Sequence, residues 1–268
     1  MIKLIMTDMD GTLLDENCNL PQNFDRVMTK LKEHNILFAP ASGRQYYGLL
    51  RQLKKYEDSF VFIAENGSYV VYKGEEVFSS TMEKAEVKAM LDIAAKIPQV
   101  QVVLCGKKSA YILSDKDKVF FDEISKYYAR CQVVDCFENV EDDVLKIAIC
   151  DLSEAGAEFN AYPYFEKYKD NYQVAISGKL WMDVMKYNTN KGVASRHIQE
   201  KFNLKPNECM AFGDYMNDFE LLNSVYYSYA MENAHPKIKE IARFQAKSNR
   251  EAGVLVAIEE MLEQLDKA

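Results

Sequence analysis

The stretch Met1–Leu14, MIKLIMTDMDGTLL, decides how the chain folds. Its apolar run Ile2–Met6 is short and ends in polar residues, the pattern of a strand buried on both faces. Asp8 and Asp10 follow at once, two residues apart, with Gly11 directly after. Side chains two apart on extended backbone point the same way. At the carboxyl end of a parallel strand, both would face the crevice where open α/β sheets bind ligands. Asp-x-Asp-Gly also suits a solvated turn. An EF-hand loop needs its glycine at the sixth position, whereas Gly11 is fourth from Asp8, so that reading fails. Two carboxylates this close repel each other, and their environment must offset the repulsion.

The same strand-then-polar-loop theme recurs along the chain. Phe24, Val27, Met28 and Leu31 recur at helical spacing, with Pro21 just ahead. Ile36–Pro40 reads as the next strand, followed by ASGR and a helix through Leu49, Leu50 and Leu53. SFVFIAENG repeats the theme, and Tyr69–Tyr72 with Val77–Ser79 flank Lys73-Gly74 as a hairpin. Such alternation predicts a mainly parallel sheet with helices on both faces. From about residue 83 the rhythm changes. Val100–Cys105 pairs with Ala110–Leu113, VLKIAIC forms a strand, and YQVAIS pairs with LWMDVMK. Val87, Met90, Leu91 and Ala94 mark a helix, and further helices are expected near 116–130 and 154–168. Alternation then resumes: a helix from Lys191, the strand CMAFGD, a helix from Asn217, the strand YYSYAM and a helix after Gly253. The expected fold is a doubly wound, Rossmann-like α/β core built from residues 1–82 and 187–268. Residues 83–186 would form an inserted α+β domain.

Composition limits the function classes. Asp and Glu number 41 against 33 Lys and Arg, a formal net charge of -8. An acidic chain is a poor non-specific nucleic-acid binder, because that affinity comes mostly from phosphate neutralisation by Lys and Arg. No apolar run approaches the roughly 18 residues of a membrane span. The amino-terminal apolar run breaks at Asp8, which predicts no signal peptide. Six scattered cysteines without a C-x-x-C pair read as buried, reduced thiols in a cytoplasmic protein.

GDYMND, residues 213–218, repeats the setting of Asp8. The apolar strand Cys209–Phe212 ends in Gly213 and Asp214, and Asn217 and Asp218 follow at a helix start. Asn217 or Asp218 alone could be a helix cap. Three carboxylates at strand ends become tolerable around a divalent cation, and oxygen ligands suit Mg²⁺. Ser42, Gly43 and Arg44 combine a hydroxyl, backbone N–H groups at a helix start and a guanidinium, which together make an anion site. Ser-Gly is also a common turn. Lys191, in TNKG, opens a helix; a solvated surface lysine is the plain alternative. The eleven glycines include no G-x-G pair, which removes the dinucleotide and P-loop fingerprints.

In their order, DMDGTLL, Ser42 of ASGR, Lys191 of NKG and GDYMND resemble the four motifs of the haloacid dehalogenase superfamily. The resemblance is to its Cof-type phosphatases with a large α/β cap. ENGSYV, NAHPKIKEIA and SNREAGV match outside the catalytic set. The resemblance implies that Asp8 is the nucleophile and that Asp10 is the acid and then the base. It implies Mg²⁺ held by Asp8, the Asp10 backbone carbonyl and Asp214, with Asp218 close by or acting through water. Ser42, Lys191 and Asn217 would hold the phosphoryl oxygens, with Gly43 and Arg44 beside them. Asp183, where relatives often carry Glu, would contact substrate or support the lysine. Trp181 would anchor the core or wall the substrate pocket.

The expected function is Mg²⁺-dependent hydrolysis of small phosphorylated metabolites by a cytoplasmic monomer or homodimer, with neither nucleic acid nor membrane as partner. Two alternatives share the motifs. One is a sugar-phosphate mutase or phosphotransferase, and the other a non-catalytic binding or regulatory protein.

Overall fold

The computed structural model describes residues 1–267. The chain begins with β1 (Leu4–Asp8), α1 (Phe24–Glu33), β2 (Leu37–Ala41), α2 (Tyr46–Gln52), β3 (Val61–Ala64), β4 (Tyr69–Tyr72) and β5 (Glu75–Ser79). It continues with α3 (Lys84–Ala94), β6 (Val100–Gly106), β7 (Ala110–Ile112), α4 (Lys118–Ile124), β8 (Cys131–Val133), β9 (Val144–Asp151), α5 (Tyr162–Phe165), β10 (Tyr172–Ile176) and β11 (Trp181–Lys186). The last part holds α6 (Lys191–Lys201), β12 (Cys209–Gly213), α7 (Phe219–Asn223), β13 (Tyr227–Met231), α8 (Pro236–Ile241), β14 (Phe244–Ala246) and α9 (Gly253–Asp266).

Contacts divide the chain into two compact units. The first comprises Met1–Ser42, Lys55–Phe78 and the chain from Asn190 onward; the second comprises Gly43–Lys54 and Ser79–Thr189. The division expected at 82/83 and 186/187 thus lies at 78/79 and 189/190, and Gly43–Lys54 joins the second unit.

The first unit carries an eight-stranded sheet in the order β14-β13-β12-β1-β2-β3-β4-β5. From β14 to β3 every neighbouring pair is parallel, and β4 runs antiparallel to β3. The chain starts mid-sheet, works outward through β2 and β3, and later fills the other side from β12 to β14. The direction of winding therefore reverses between β1 and β12, where open α/β sheets place their ligands. Every residue of β1 and β12 is buried, as a central parallel strand requires. On this sheet α1 packs against α9, and α6 against α7.

The second unit carries a six-stranded sheet in the order β10-β11-β9-β6-β7-β8, antiparallel except for β7 and β8. Its strands alternate between two cores. Ile147 and Ile149 of β9 join Val87 and Met90 of α3 and Phe165 of α5. Ala148 and Cys150 join Phe120 and Ile124 of α4 and Trp181. That period of two is what a sheet covered on both faces demands. The segment Gly43–Lys54 is tied into this unit. Gln45 Nε2 donates to the Arg130 carbonyl at 2.8 Å, and the Arg130 N–H returns to Gln45 Oε1 at 3.0 Å. The Arg130 guanidinium lies 3.5 Å from the Tyr47 ring centroid.

Several local expectations need correction. β1 begins at Leu4 and includes Thr7 and Asp8, because its ladder partners Leu37 and Cys209 start opposite Leu4. The helix expected near 154–168 shrinks to α5 plus one 3-10 turn, Glu166–Tyr168. Gly156 takes φ +75°, and Asp151 accepts from Ser153 N–H and Asn160 Nδ2, so residues 153–160 are bound into a loop. The helix expected over 116–130 ends at Ile124. The one expected from Asn217 starts as a 3-10 turn, Met216–Asp218, before α7. α8 and β14 were not expected, being short and of weak periodicity. Of the six thiols, Cys105, Cys150 and Cys209 are buried, whereas Cys18 and Cys131 are exposed.

Candidate active site

The site is built at the winding reversal of the first unit. Asp8 ends β1, in register with Ala41 of β2, and is buried. Asp214 follows β12, the strand on the other side of β1. Asp218 closes the 3-10 turn after it and is fully buried. One carboxylate oxygen from each of Asp8, Asp214 and Asp218 lies within 4.8 Å of the other two.

Lys191 supplies the opposite charge. It is the first residue of α6, whose cap Asn190 accepts from Val193 N–H at 2.9 Å. Its ammonium is fully buried and donates to Asp8 Oδ1 at 2.5 Å and Asp218 Oδ1 at 2.6 Å. The plain reading of Lys191 as a solvated surface lysine is therefore excluded. Gly67, at φ +94°, permits this approach: a Cβ there would lie 2.4 Å from the Asn190 carbonyl.

Asp218 uses both oxygens. Oδ1 accepts from Lys191, while Oδ2 accepts from the backbone N–H groups of Asp214 at 3.0 Å and Tyr215 at 3.3 Å. It thus caps its turn and orients the lysine together. Asp214 Oδ1 accepts from the buried Thr12 hydroxyl at 2.9 Å. Gly11 is pressed equally hard against Asp214: its φ is +81°, and a Cβ would fall 2.5 Å from Asp214 Oδ2.

Asp10 departs from the simplest expectation. The strand stops at Asp8, and residues 9–13 form a wide turn closed by Leu14 N–H on the Met9 carbonyl at 2.8 Å. Asp8 is consequently buried and Asp10 exposed, rather than side by side on extended backbone. Asp10 still acts electrostatically on both Asp8 and Asp214.

Ser42 is buried just past β2. Its N–H donates to the Ile63 carbonyl at 2.9 Å, and its carbonyl accepts from Asn66 N–H at 3.0 Å. Asn217 Nδ2 reaches Asn66 Oδ1 at 3.2 Å. Asn66 therefore links Ser42 to Asn217, a role no charge or spacing announced; the signals were the ENGSYV match and an Asn-Gly one residue past an apolar strand. Gly43 and Arg44 group with the second unit. There the Gly43 carbonyl accepts from Lys146 Nζ at 2.9 Å, and Arg44 donates to Gln52 at 3.3 Å. Asp183 pairs with Lys146 in that unit at 3.2 Å. Trp181 packs in its core and donates to Glu123 at 2.9 Å.

Charge is unbalanced at the first-unit cluster. Burial pushes the Asp8 carboxyl well above its usual range, overcoming the pull of Lys191, and Asp218 and Asp214 push the same way. Asp214 is raised from 3.8 to about 6, by burial first and then by the Asp218 charge. Burial acts to lower Lys191, but Asp218 and Asp8 outweigh it and hold the ammonium charged. Two buried carboxylates and the half-buried Asp214 against one ammonium leave a deficit of positive charge. Hard oxygen donors at that spacing fit a divalent cation, for which Asp8 and Asp214 could provide ligands. Among the described residues no helix is long and apolar enough to cross a membrane.

Comparison with known proteins points the same way. The family profile for haloacid dehalogenase-like hydrolases matches residues 5–258. The chain is 32% identical to the 5-amino-6-(5-phospho-D-ribitylamino)uracil phosphatase YbjI of Escherichia coli K12, over 97% of this chain and 96% of that protein. It is 24% identical to YitU of Bacillus subtilis, a phosphatase of the same name, with 94% of each chain covered. A crystal structure from Streptococcus mutans UA159 superposes with a TM-score of 0.88 at 29% identity, covering 98% of this chain and all of that one. With its winding reversal, its carboxylates at and just past the strand ends and its buried lysine at the start of α6, the chain belongs to the haloacid dehalogenase-like hydrolases and is a phosphatase of their Cof type.

Proposed function

We propose that the protein is a Mg²⁺-dependent phosphomonoesterase that hydrolyses small phosphorylated metabolites through an aspartyl-phosphate on Asp8. One observation carries the reading: the fully buried Lys191 bridges Asp8 and Asp218, with Asp214 in the same cluster. A carboxylate so held is positioned to attack, and the charge excess around it calls for a cation.

Asp8 attacks phosphorus; the bond from phosphorus to the leaving oxygen breaks, and Asp10 gives that oxygen its proton. Asp10 then takes a proton from water, the water oxygen bonds phosphorus, and the bond to Asp8 breaks, releasing inorganic phosphate. Lys191, the Ser42 hydroxyl and Asn217 hold the equatorial oxygens, whose charge is the main demand of phosphoryl transfer. Asp8, the Asp10 backbone carbonyl and Asp214 would hold Mg²⁺. Asp218, with both oxygens engaged by protein donors, would act behind them. When bound, the cation neutralises carboxylate and phosphoryl charge together.

The second unit would be the substrate-selecting cap, with Gly43 and Arg44 carried on it. The protein would be cytoplasmic, monomeric or homodimeric, and without nucleic-acid or membrane partners. Two relatives are named for a phosphoribityl-substituted aminouracil, so ribityl and other sugar phosphates head the substrate panel.

The test is phosphate release from such a panel, with Mg²⁺ and with chelator, for wild type and Asp8→Asn. Release that needs the cation and is lost in the variant supports the reading. Turnover that persists in Asp8→Asn free of deamidation removes Asp8 as nucleophile.

A further inference from the structure

Two asparagines outside the carboxylate cluster hold the turn that carries Asp10. Asn233, just past β13, donates from Nδ2 to the Gly11 carbonyl at 2.8 Å. Asn249, ahead of α9, donates from Nδ2 to the Leu14 carbonyl at 2.9 Å. The two are joined to each other, because Asn249 N–H donates to Asn233 Oδ1 at 3.2 Å. The turn is thus gripped at the residue after Asp10 and again where it closes. The grip comes from two segments more than 200 residues away in sequence. Asn249 is buried, whereas Asn233 is exposed on the wall of an open cavity of about 650 Å³ that Asp10 and Gly11 also line. Removing the Asn233 side chain therefore lets water reach the Gly11 carbonyl and satisfy it. The fold survives, while the placement of residue 10 loosens.

We infer that Asn233 and Asn249 are positioning residues for Asp10, acting through the Gly11 and Leu14 carbonyls. The inference rests on Asp10 being the proton donor of the first step. In that step the phosphorus–oxygen bond to the leaving group breaks as the bond to Asp8 forms, and the Asp10 proton moves to the departing oxygen. A weakly basic leaving oxygen needs little of that proton, whereas a more basic one needs it nearly whole. Small displacements of a positioned group are costly in rate. Loosening Asp10 should therefore penalise poor leaving groups selectively, which general weakening of the fold would not do.

The experiment compares kcat/KM for p-nitrophenyl phosphate and phenyl phosphate, which reports steps through transfer to Asp8. Asn233→Ala is expected to lose about tenfold on phenyl phosphate and less than about threefold on p-nitrophenyl phosphate, at an unchanged thermal midpoint. Asn249→Ala should show the same split. Asn233→Asp retains the acceptor for Asn249 but loses the donor to Gly11, so it should behave like Asn233→Ala. Asp10→Asn is the control and should show a larger split. Equal losses on both substrates in the Asn233 variants, with a split in Asp10→Asn, would overturn the inference alone. No split in Asp10→Asn would instead remove the proton-donor reading on which it stands.

Discussion

The molecule buries two lysine–aspartate arrangements, one in each unit, and they differ in their balance. In the first unit Lys191 faces Asp8 and Asp218, with Asp214 in the same cluster. In the second, Lys146 pairs with Asp183 across neighbouring strands β9 and β11 and also donates to the Gly43 carbonyl. Each ammonium is at least 97% buried, so neither pair is a surface salt bridge of small worth. One carboxylate per ammonium is a self-sufficient solution that serves packing and register. Three per ammonium is not self-sufficient, and that shortage of positive charge suits the cation and the incoming phosphoryl group of the proposed function.

Substitution should separate the two. The largest effect is expected from Asp8→Asn, with kcat lowered by at least about 10⁴-fold, as when a catalytic nucleophile is removed; Asp183→Asn should leave kcat within about threefold once corrected for folded protein, since Asp183 is committed to Lys146. Comparable losses in both would break the distinction. Next comes Lys191→Met, expected to lower kcat by about 10²–10³-fold, the scale of removing one electrostatic contact to the transferring group. Phosphate-release kinetics with saturating Mg²⁺ would check it.

In the second unit the expected cost lies in stability. Lys146→Met or Asp183→Leu alone leaves a buried partner charge and should cost about 3–5 kcal/mol in denaturant unfolding, while the double replacement should return close to wild type. A double variant as unstable as the singles would mean that the pair holds more than each other. The smallest effect is a pH slope. Asp214 has its folded value raised to about 6 from 3.8, so protonation favours the folded, cation-free protein. That contribution is complete below about pH 4 and fades as pH rises through 6. In chelator, Asp214→Asn should therefore flatten the fall of the thermal midpoint between pH 4 and 7; an unchanged slope would contradict the raised value.

Much of this was legible in the sequence because the first unit is built from local signals. Short apolar runs ending in Asp, Ser or Gly-Asp announce strand ends, and winding order brings those ends together without detailed packing. Asp8, Lys191, Asp214 and Asp218 converge for that reason. Asn66 and Asn233 were not legible as contacts, because each acts through a hydrogen bond to a segment about 150 or more residues away. Asn66 also takes φ +56°, a conformation that Asn tolerates but periodicity does not report. Short elements such as α8 and β14 fail for a related reason. They hold their shape through the parallel ladder with β13 and the cap on His235, not through their own pattern.

Gly43–Lys54 bears on how such proteins can be recombined. Because Gln45 is bound both ways to Arg130, and Lys146 to the Gly43 carbonyl, the second unit is no single cassette threaded between two halves of a host. A graft of Ser79–Thr189 alone onto another member's scaffold would leave Arg130 without Gln45 and Lys146 without the Gly43 carbonyl. Exchange of specificity by recombination must therefore move two separate stretches together. A lineage that swaps only the longer one inherits a mismatch within the second unit itself.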